Sequence, residues 1–416
     1  MTIDPQEFLL SVFHAAVKEA QPKLCLPYFF PARPKGKIVV IGAGKASAAM
    51  AAVAEDHYAS EIGGLVITRF GYAVECGKIE IIEAGHPIPD IYGYNATLKM
   101  LKVLAGLSKN DLVLCLLSGG GSSLLTFPAE GLSLEDKQHI NEILIRSGAT
   151  INEINIIRKH LSQVKGGRLA QVCMPAELVT LVISDVVGDD LSAIASGPTV
   201  PDPSTYADAL MVVKKYGLEL PTSAMLILQA GRDETPKPGN RNFHNNTIKV
   251  IANSDISLTA AAKFSEEAGI KPIMLGNYFE GEARDFGRKM AKVVAGHMKK
   301  APCILLSGGE LTVKVKGSGK GGPNTEFLVA LAMELKGVKR VFSIACDTDG
   351  TDGSSDNAGA MITPDTLRRA EKLGLDPADT LNRNDAYNFF YALDDLIISG
   401  PTYTNVNDFR AIMITS

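Results

Sequence analysis

The chain has 416 residues, with 42 Lys+Arg against 46 Asp+Glu, a formal net charge of −4, 46% apolar residues and 21% charged residues. These are ordinary globular proportions, and the length predicts about two to three domains with enough core to need no covalent staples. The slight acidity argues against a nucleic-acid or anionic-membrane partner, either of which would need a basic face.

The opening residues alternate apolar and polar positions at helical spacing. Asp4 stands as N-cap and Pro5 at the first helical position, so an amphipathic helix is predicted rather than a signal peptide. No segment approaches the roughly 18 apolar residues of a membrane span. The cysteines at 25, 76, 115, 173, 303 and 346 show neither C-x-x-C nor paired-His spacing, so a reduced, cytoplasmic protein is expected, with Cys115 and Cys303 in the core.

From residue 37 onward a rhythm sets in of short apolar run, Gly-rich turn and helical pattern. It recurs at 37–55, 112–125, 178–190, 248–269 and 303–311. Such alternation predicts parallel α/β layers, whose ligands bind at the carboxyl ends of the strands. The polar stretch 231–247, with two Pro and two Gly, reads as a linker. A domain boundary is placed there, giving 1–240 and 241–416, with the opening helix able to pack on the second domain. Leu116–Gly120 and Leu305–Gly309 repeat the same Leu-Leu-Ser-Gly-Gly, either by convergent strand-end chemistry or because two similar strand ends serve one cleft.

The turns carry the chemistry. Gly42-Ala43-Gly44-Lys45 joins a strand to an Ala-rich helix, where free N–H groups and a lysine favour an anion. It lacks the Walker A pattern, and as a dinucleotide fingerprint it is imperfect, with Ser47 at the third Gly and Arg69 where an acid is usual. Ser118-Gly119-Gly120-Gly121-Ser122-Ser123 offers backbone amides and hydroxyls to wrap a phosphate. Arg158, Ser162 and Lys165 would share a helical face, followed by Arg168. Asp185 and Asp189 follow the strand at 178–184. Asp347, Asp349 and Asp352 alternate with Thr and Gly at another strand end, a set suited to Mg²⁺ beside substrate phosphates. His86 sits in the rigid turn Gly85-His86-Pro87-Ile88-Pro89. No nucleophile-elbow or zincin motif occurs. Anion cradles, a strand-end lysine, a basic segment and acidic turns together point to phosphoryl transfer, in which positioning and charge neutralisation do most of the work.

The motifs GAGKA (42–46), GHPIPD (85–90), LLSGGGSSLL (116–125), NEINIIRKHLSQVKGGRLA (152–170), SDVVGDDLSAIASGPTVPD (184–202), LLSGGELTV (305–313), DTDGTDGSSDNAGA (347–360) and GPTYTNVND (400–408) occur in this order. In this the chain resembles, over about residues 5–412, the glycerate 2-kinases that carry a MOFRL C-terminal domain. The resemblance implies a Rossmann-like parallel α/β domain, a second α/β domain with a mixed sheet, and an active site in the cleft between them. It implies ATP- and divalent-metal-dependent phosphorylation of D-glycerate at the 2-hydroxyl, as a monomer or homodimer.

Lys45 matches the lysine that the family regards as catalytic. The arginine proposed to assist in many members is Pro323 here, so Lys320 or Arg158 stands in, or that arginine is dispensable. The expected roles are phosphoryl stabilisation by Lys45, phosphate contacts from Gly44 and the 118–123 loop, and carboxylate pairing by Arg158 or Arg168 beside Lys165. Asp189 is expected as general base and Asp185, Asp347, Asp349 and Asp352 as metal-proximal acids. Ser307, Gly308, Glu310, Lys320, Asn324, Glu326, Asn405 and Asp408 are expected to line or brace the site. An NAD(P)-dependent hydroxypyruvate reductase, a name some family members have carried, is the alternative; a non-catalytic anion-binding protein is a third reading.

Overall fold

Each apolar run becomes a strand, and four of the five are buried along most of their length, Asn246–Ala252 being covered only at its end. The computed structural model describes residues 4–59 and 61–416. The chain divides into two compact units, Cys25–Ile251, and Met1–Leu24 with Ala252–Ser416.

The Cys25–Ile251 unit is built on a six-stranded sheet. Its strands run in the order Ile79–Ala84, Ile62–Arg69, Ile38–Ala43, Leu112–Leu117, Glu177–Ile183, Asn246–Ala252. The first five pair in parallel. Ile38–Ala43 and Leu112–Leu117 are buried at every residue, as expected for parallel strands covered on both faces. Cys115 lies in the sheet core. Ala43 pairs with Leu117, and Leu117 with Val182. Parallel pairing therefore delivers the turns after all three strands to one edge, which is where the sheet can assemble a site. The helices Leu134–Arg146, Ile151–His160, Tyr206–Tyr216 and Thr222–Ala230 pack a separate apolar cluster beside the sheet.

The other unit carries a mixed sheet in the order Leu396–Ile397, Gly359–Ile362, Val341–Asp347, Asp408–Ile414, Cys303–Gly309, Lys271–Gly276. Its pairs are antiparallel except the last, which is parallel. The opening helix Pro5–Glu19 starts where its cap predicts, with the Asp4 carboxylate accepting from the amides of Gln6 and Glu7. Phe8, Leu9, Val12 and Phe13 are buried against Leu258, Ala261 and Phe409 of this sheet unit. At roughly 1.5–3 kcal/mol per buried side chain, that face outweighs the cap, worth about 1 kcal/mol.

The 231–247 stretch is held down by side chains, and the two units part just beyond it, between Ile251 and Ala252. Thr235 is buried, with its hydroxyl donating to Asp202, and the strand Asn246–Ala252 closes the first sheet. Pro and Gly broke the local pattern there, but side chains stitch the segment down. Among the described residues no helix is long and apolar enough to cross a membrane.

Candidate active site

The 42–46 turn is closed by its neighbour. The Lys45 amide donates to the Gly119 carbonyl at 2.8 Å, the Ala46 amide to Ser118 Oγ at 2.9 Å, and the Ser47 amide to the Gly44 carbonyl at 3.2 Å. Gly44 has φ +147°, and a Cβ there would collide with Ser118 Oγ. The amides that lead into the helix at Ser47, those of Lys45, Ala46 and Ser47, are thus engaged internally. This corrects the expectation that Gly44 and Ser118 contact phosphate: they join two turns. It also weakens the dinucleotide reading, which needs those amides facing a pyrophosphate. Arg69 instead lies over the Tyr72 ring at 5.4 Å. The Lys45 side chain is half-buried, and its Cγ comes within 3.5 Å of the place a Cβ on Gly120 would occupy. The His86 ring comes within 2.9 Å of the same place, and Gly120 has φ +83°, so only glycine fits between them.

Below Gly120 opens a cavity of about 170 Å³, lined among others by His86, Ser122, Ser123, Lys137, Arg158 and Lys165. The amides of Gly119, Gly120 and Ser122 meet no backbone acceptor among the described residues. Ser122 Oγ lies 2.7 Å from Ser196 Oγ, which donates to Asn155. Lys165, 1% exposed, donates to the carbonyls of Ser122 and Leu125 at 2.7 and 3.1 Å and so holds the glycine loop. Arg158 donates to Asn141. The helix ends at His160, so Ser162 and Lys165 lie beyond it rather than on a shared helical face; Lys165 reaches Arg158's pocket through the bends that follow.

Sequence reasoning missed Lys137 and Asn141. They stand one turn apart on Leu134–Arg146, with Ile140 and Leu144 buried on the same side. A lysine in register with an apolar stripe was the available signal. Lys137 is 5% exposed and its Nζ has no hydrogen-bond partner among the described residues. Burial, and then the charge of Arg158, pull its ammonium down to about 7. Burial first, then Lys137 and Arg158, hold Lys165 well below the usual lysine range. Among the described residues no Asp or Glu lines the cavity. A pocket of cations without a carboxylate is built for an anion.

Arg168 is not part of it. Its guanidinium donates to the carboxylate and carbonyl of Asp233, pinning the 231–247 segment. Asp185 and Asp189 lie half-buried in the turn after Glu177–Ile183, with Asp189 at φ 55°.

In the second unit most of the expected site residues are braces. Register aligns Asp347, Asp408 and Gly309 in one row. Asp408 accepts from Asn324 Nδ2 at 2.6 Å and pairs with the fully buried Arg410 at 3.5 Å. Arg410 in turn donates to the carbonyls of Gly308 and Gly309, which follow Ser307 at that strand end. The two Leu-Leu-Ser-Gly-Gly strand ends therefore do different work. Asp352 caps the helix Pro323–Leu335, accepting from the amides of Asn324 and Thr325 at 2.9 Å each and from Thr325 Oγ1 at 2.7 Å. Pro323 is the first residue of that helix. Lys320 pairs with Asp356 at 3.2 Å and stands 3.5 Å over the Tyr387 ring, in an exposed arrangement.

Glu326, 1% exposed, pairs with Arg284 at 2.7 Å and accepts from Asn384 at 2.6 Å. Arg284→Met leaves that carboxylate buried without its cation, and a loss of about 3–5 kcal/mol is expected in urea unfolding. Asp349 Oδ1 accepts from the Thr351 amide and Asp347 Oδ1 from the Asp349 amide. Asn405 Oδ1 accepts from the Asn407 amide, whereas Glu310 is exposed at the strand end. Among the described residues no three His, Cys, Asp or Glu side chains converge as a metal cage. Asp352 is removed from that role by its capping bonds, so no step is assigned to a resident metal.

Residues 8–229 match the model of a domain of unknown function, DUF4147, and residues 303–408 match the MOFRL family. The D-glycerate 2-kinase of Thermotoga maritima is 41% identical over 94% of this chain and 92% of its own length. The chain belongs to the glycerate kinase family that joins these two regions. A crystal structure of glycerate kinase from Thermotoga maritima superposes on this family member with a TM-score of 0.88 at 38% identity, covering 99% of each chain. An Agrobacterium vitis relative, provisionally named hydroxypyruvate reductase, is 49% identical over 99% of this chain and 95% of its own length. This glycerate kinase family chain thus has relatives under two enzyme names, and the geometry of the 42–46 turn bears on the choice.

Proposed function

We propose that the protein is a glycerate 2-kinase that transfers the γ-phosphoryl group of ATP, entering as its magnesium complex, to the 2-hydroxyl of D-glycerate. The products are 2-phosphoglycerate and ADP. The observation that carries this reading is the carboxylate-free cationic cavity under Gly120, beside Lys45. At about 170 Å³ it suits a three-carbon acid, since pockets for larger ligands run to about 300–1,000 Å³.

In this reading Arg158 pairs with the substrate carboxylate, for which a planar guanidinium is suited. The free amides of the 119–122 loop hold oxygens of the transferring group, and Lys45 neutralises the charge that builds on it. The base that takes the hydroxyl proton comes from outside the cavity lining, and Asp189, in the turn after Glu177–Ile183, is its candidate. Engagement of the Lys45, Ala46 and Ser47 amides inside the fold argues against a nicotinamide dinucleotide in the same turn. The free cysteines fit a reducing cytoplasm.

Purified protein should release ADP from ATP only when D-glycerate is present. Hydroxypyruvate with NADH or NADPH should leave the nicotinamide absorbance unchanged. The opposite pair of results would transfer the assignment to the reductase.

A further inference from the structure

A buried ammonium with no partner is costly, and a fold keeps one where a ligand supplies the missing charge. Lys137 is such a group. Its Nζ has no hydrogen-bond partner among the described residues, the residue is 5% exposed, and it lines the cavity that Arg158 and Lys165 also line. Arg158 is anchored to Asn141 and Lys165 to two carbonyls. Lys137 is the member of the set left without an anchor.

We propose that Lys137 is a substrate-binding residue whose ammonium takes one carboxylate oxygen of the acid while Arg158 takes the other, so that the site selects small 2-hydroxy carboxylates and rejects neutral polyols of the same size. This rests on the kinase reading above. It adds a residue that neither the sequence motifs nor the family resemblance singled out. Arg158, Lys165 and His86 are the other basic side chains lining the cavity, and the charge of Arg158 acts on Lys137. Lys165 keeps its donation to the loop carbonyls whether or not it carries a charge. Affinity for the acid should therefore follow the Lys137 proton, and weaken as pH rises past about 7.

The test is Lys137→Met, which keeps the apolar stem and removes the charge, with Lys137→Gln as a second variant. The KM for D-glycerate should rise at least about 30-fold, the increase expected when a charged hydrogen bond worth roughly 2 kcal/mol is lost. The KM for ATP should change less than about twofold, within ordinary scatter for an untouched site. The alkaline rise in KM should disappear. Without ligand the variant should melt no lower than the native protein, because a buried unpaired charge has gone. D-glycerate should raise the melting temperature of the native protein but not of the variant.

An unchanged KM in a variant of an active enzyme overturns the proposal and leaves the kinase reading intact. Native protein that turns over no glycerate, yet is stabilised by it through Lys137, overturns the kinase reading and leaves the anion site intact. Failure of both variants to fold assigns Lys137 a structural role and overturns the proposal.

Discussion

Lys45→Ala should lower kcat for glycerate phosphorylation by about 10²–10³-fold, the usual effect of removing one preorganised electrostatic donor, with little change in melting temperature. The reason for expecting this separation is local. The fold uses the main chain of this residue, through the amide of Lys45 to Gly119 and that of Ala46 to Ser118, and alanine retains both bonds. The side chain contributes a cation over the Gly120 loop, beside His86. Single-turnover rates should fall in step with kcat, because the lost interaction belongs to the transferring phosphoryl group rather than to substrate binding. A folded variant with native kcat would remove Lys45 from the mechanism.

Asp352→Ala should produce the opposite pattern, a large loss of stability. Its fully buried carboxylate caps the helix Pro323–Leu335 through two amides and one hydroxyl, and Asn324 next to it ties Asp408 into the same network. Truncation strands two buried N–H groups at about 1–3 kcal/mol each, so a loss of about 3–5 kcal/mol is expected in denaturant unfolding. The pH dependence is a second signature. Burial pushes the Asp352 carboxyl up to about 6, against the opposing amides of Asn324 and Thr325. Between about pH 4 and 6 the folded state therefore holds a proton that the unfolded state has released, and stability falls as pH rises through that window. Asp352→Asn should lack this decline.

These two residues show what the sequence made legible and what it did not. The strands at 38–43 and 112–117 were readable because parallel strands covered on both faces need continuous apolar runs. The turns were readable because strand-to-helix junctions need glycine. Lys45 was readable as a lysine at such a junction. Asp352, Glu326 and Arg168 also sit in polar, Gly-rich segments and so resemble site residues. Their roles as braces depend on Thr325, Arg284 and Asp233, which lie far enough away along the chain to leave no local pattern. Lys137 failed in the reverse direction: a lysine within a helix reads as solvent-facing until packing shows that its side of the helix is covered. The Pro- and Gly-rich 231–247 stretch read as a linker for a related reason, since it carries no apolar rhythm and is held by Arg168 and Asp202 instead.

The central claim, phosphorylation of D-glycerate at the 2-hydroxyl, is tested most directly by coupling to enolase. The protein is incubated with ATP, Mg²⁺ and D-glycerate, enolase is added without phosphoglycerate mutase, and phosphoenolpyruvate is followed. Enolase accepts the 2-phosphate and not the 3-phosphate, so immediate phosphoenolpyruvate formation is the expected result. ADP release that yields phosphoenolpyruvate only after mutase is added would contradict the regiochemistry, and no glycerate-dependent ADP release would contradict the kinase assignment itself.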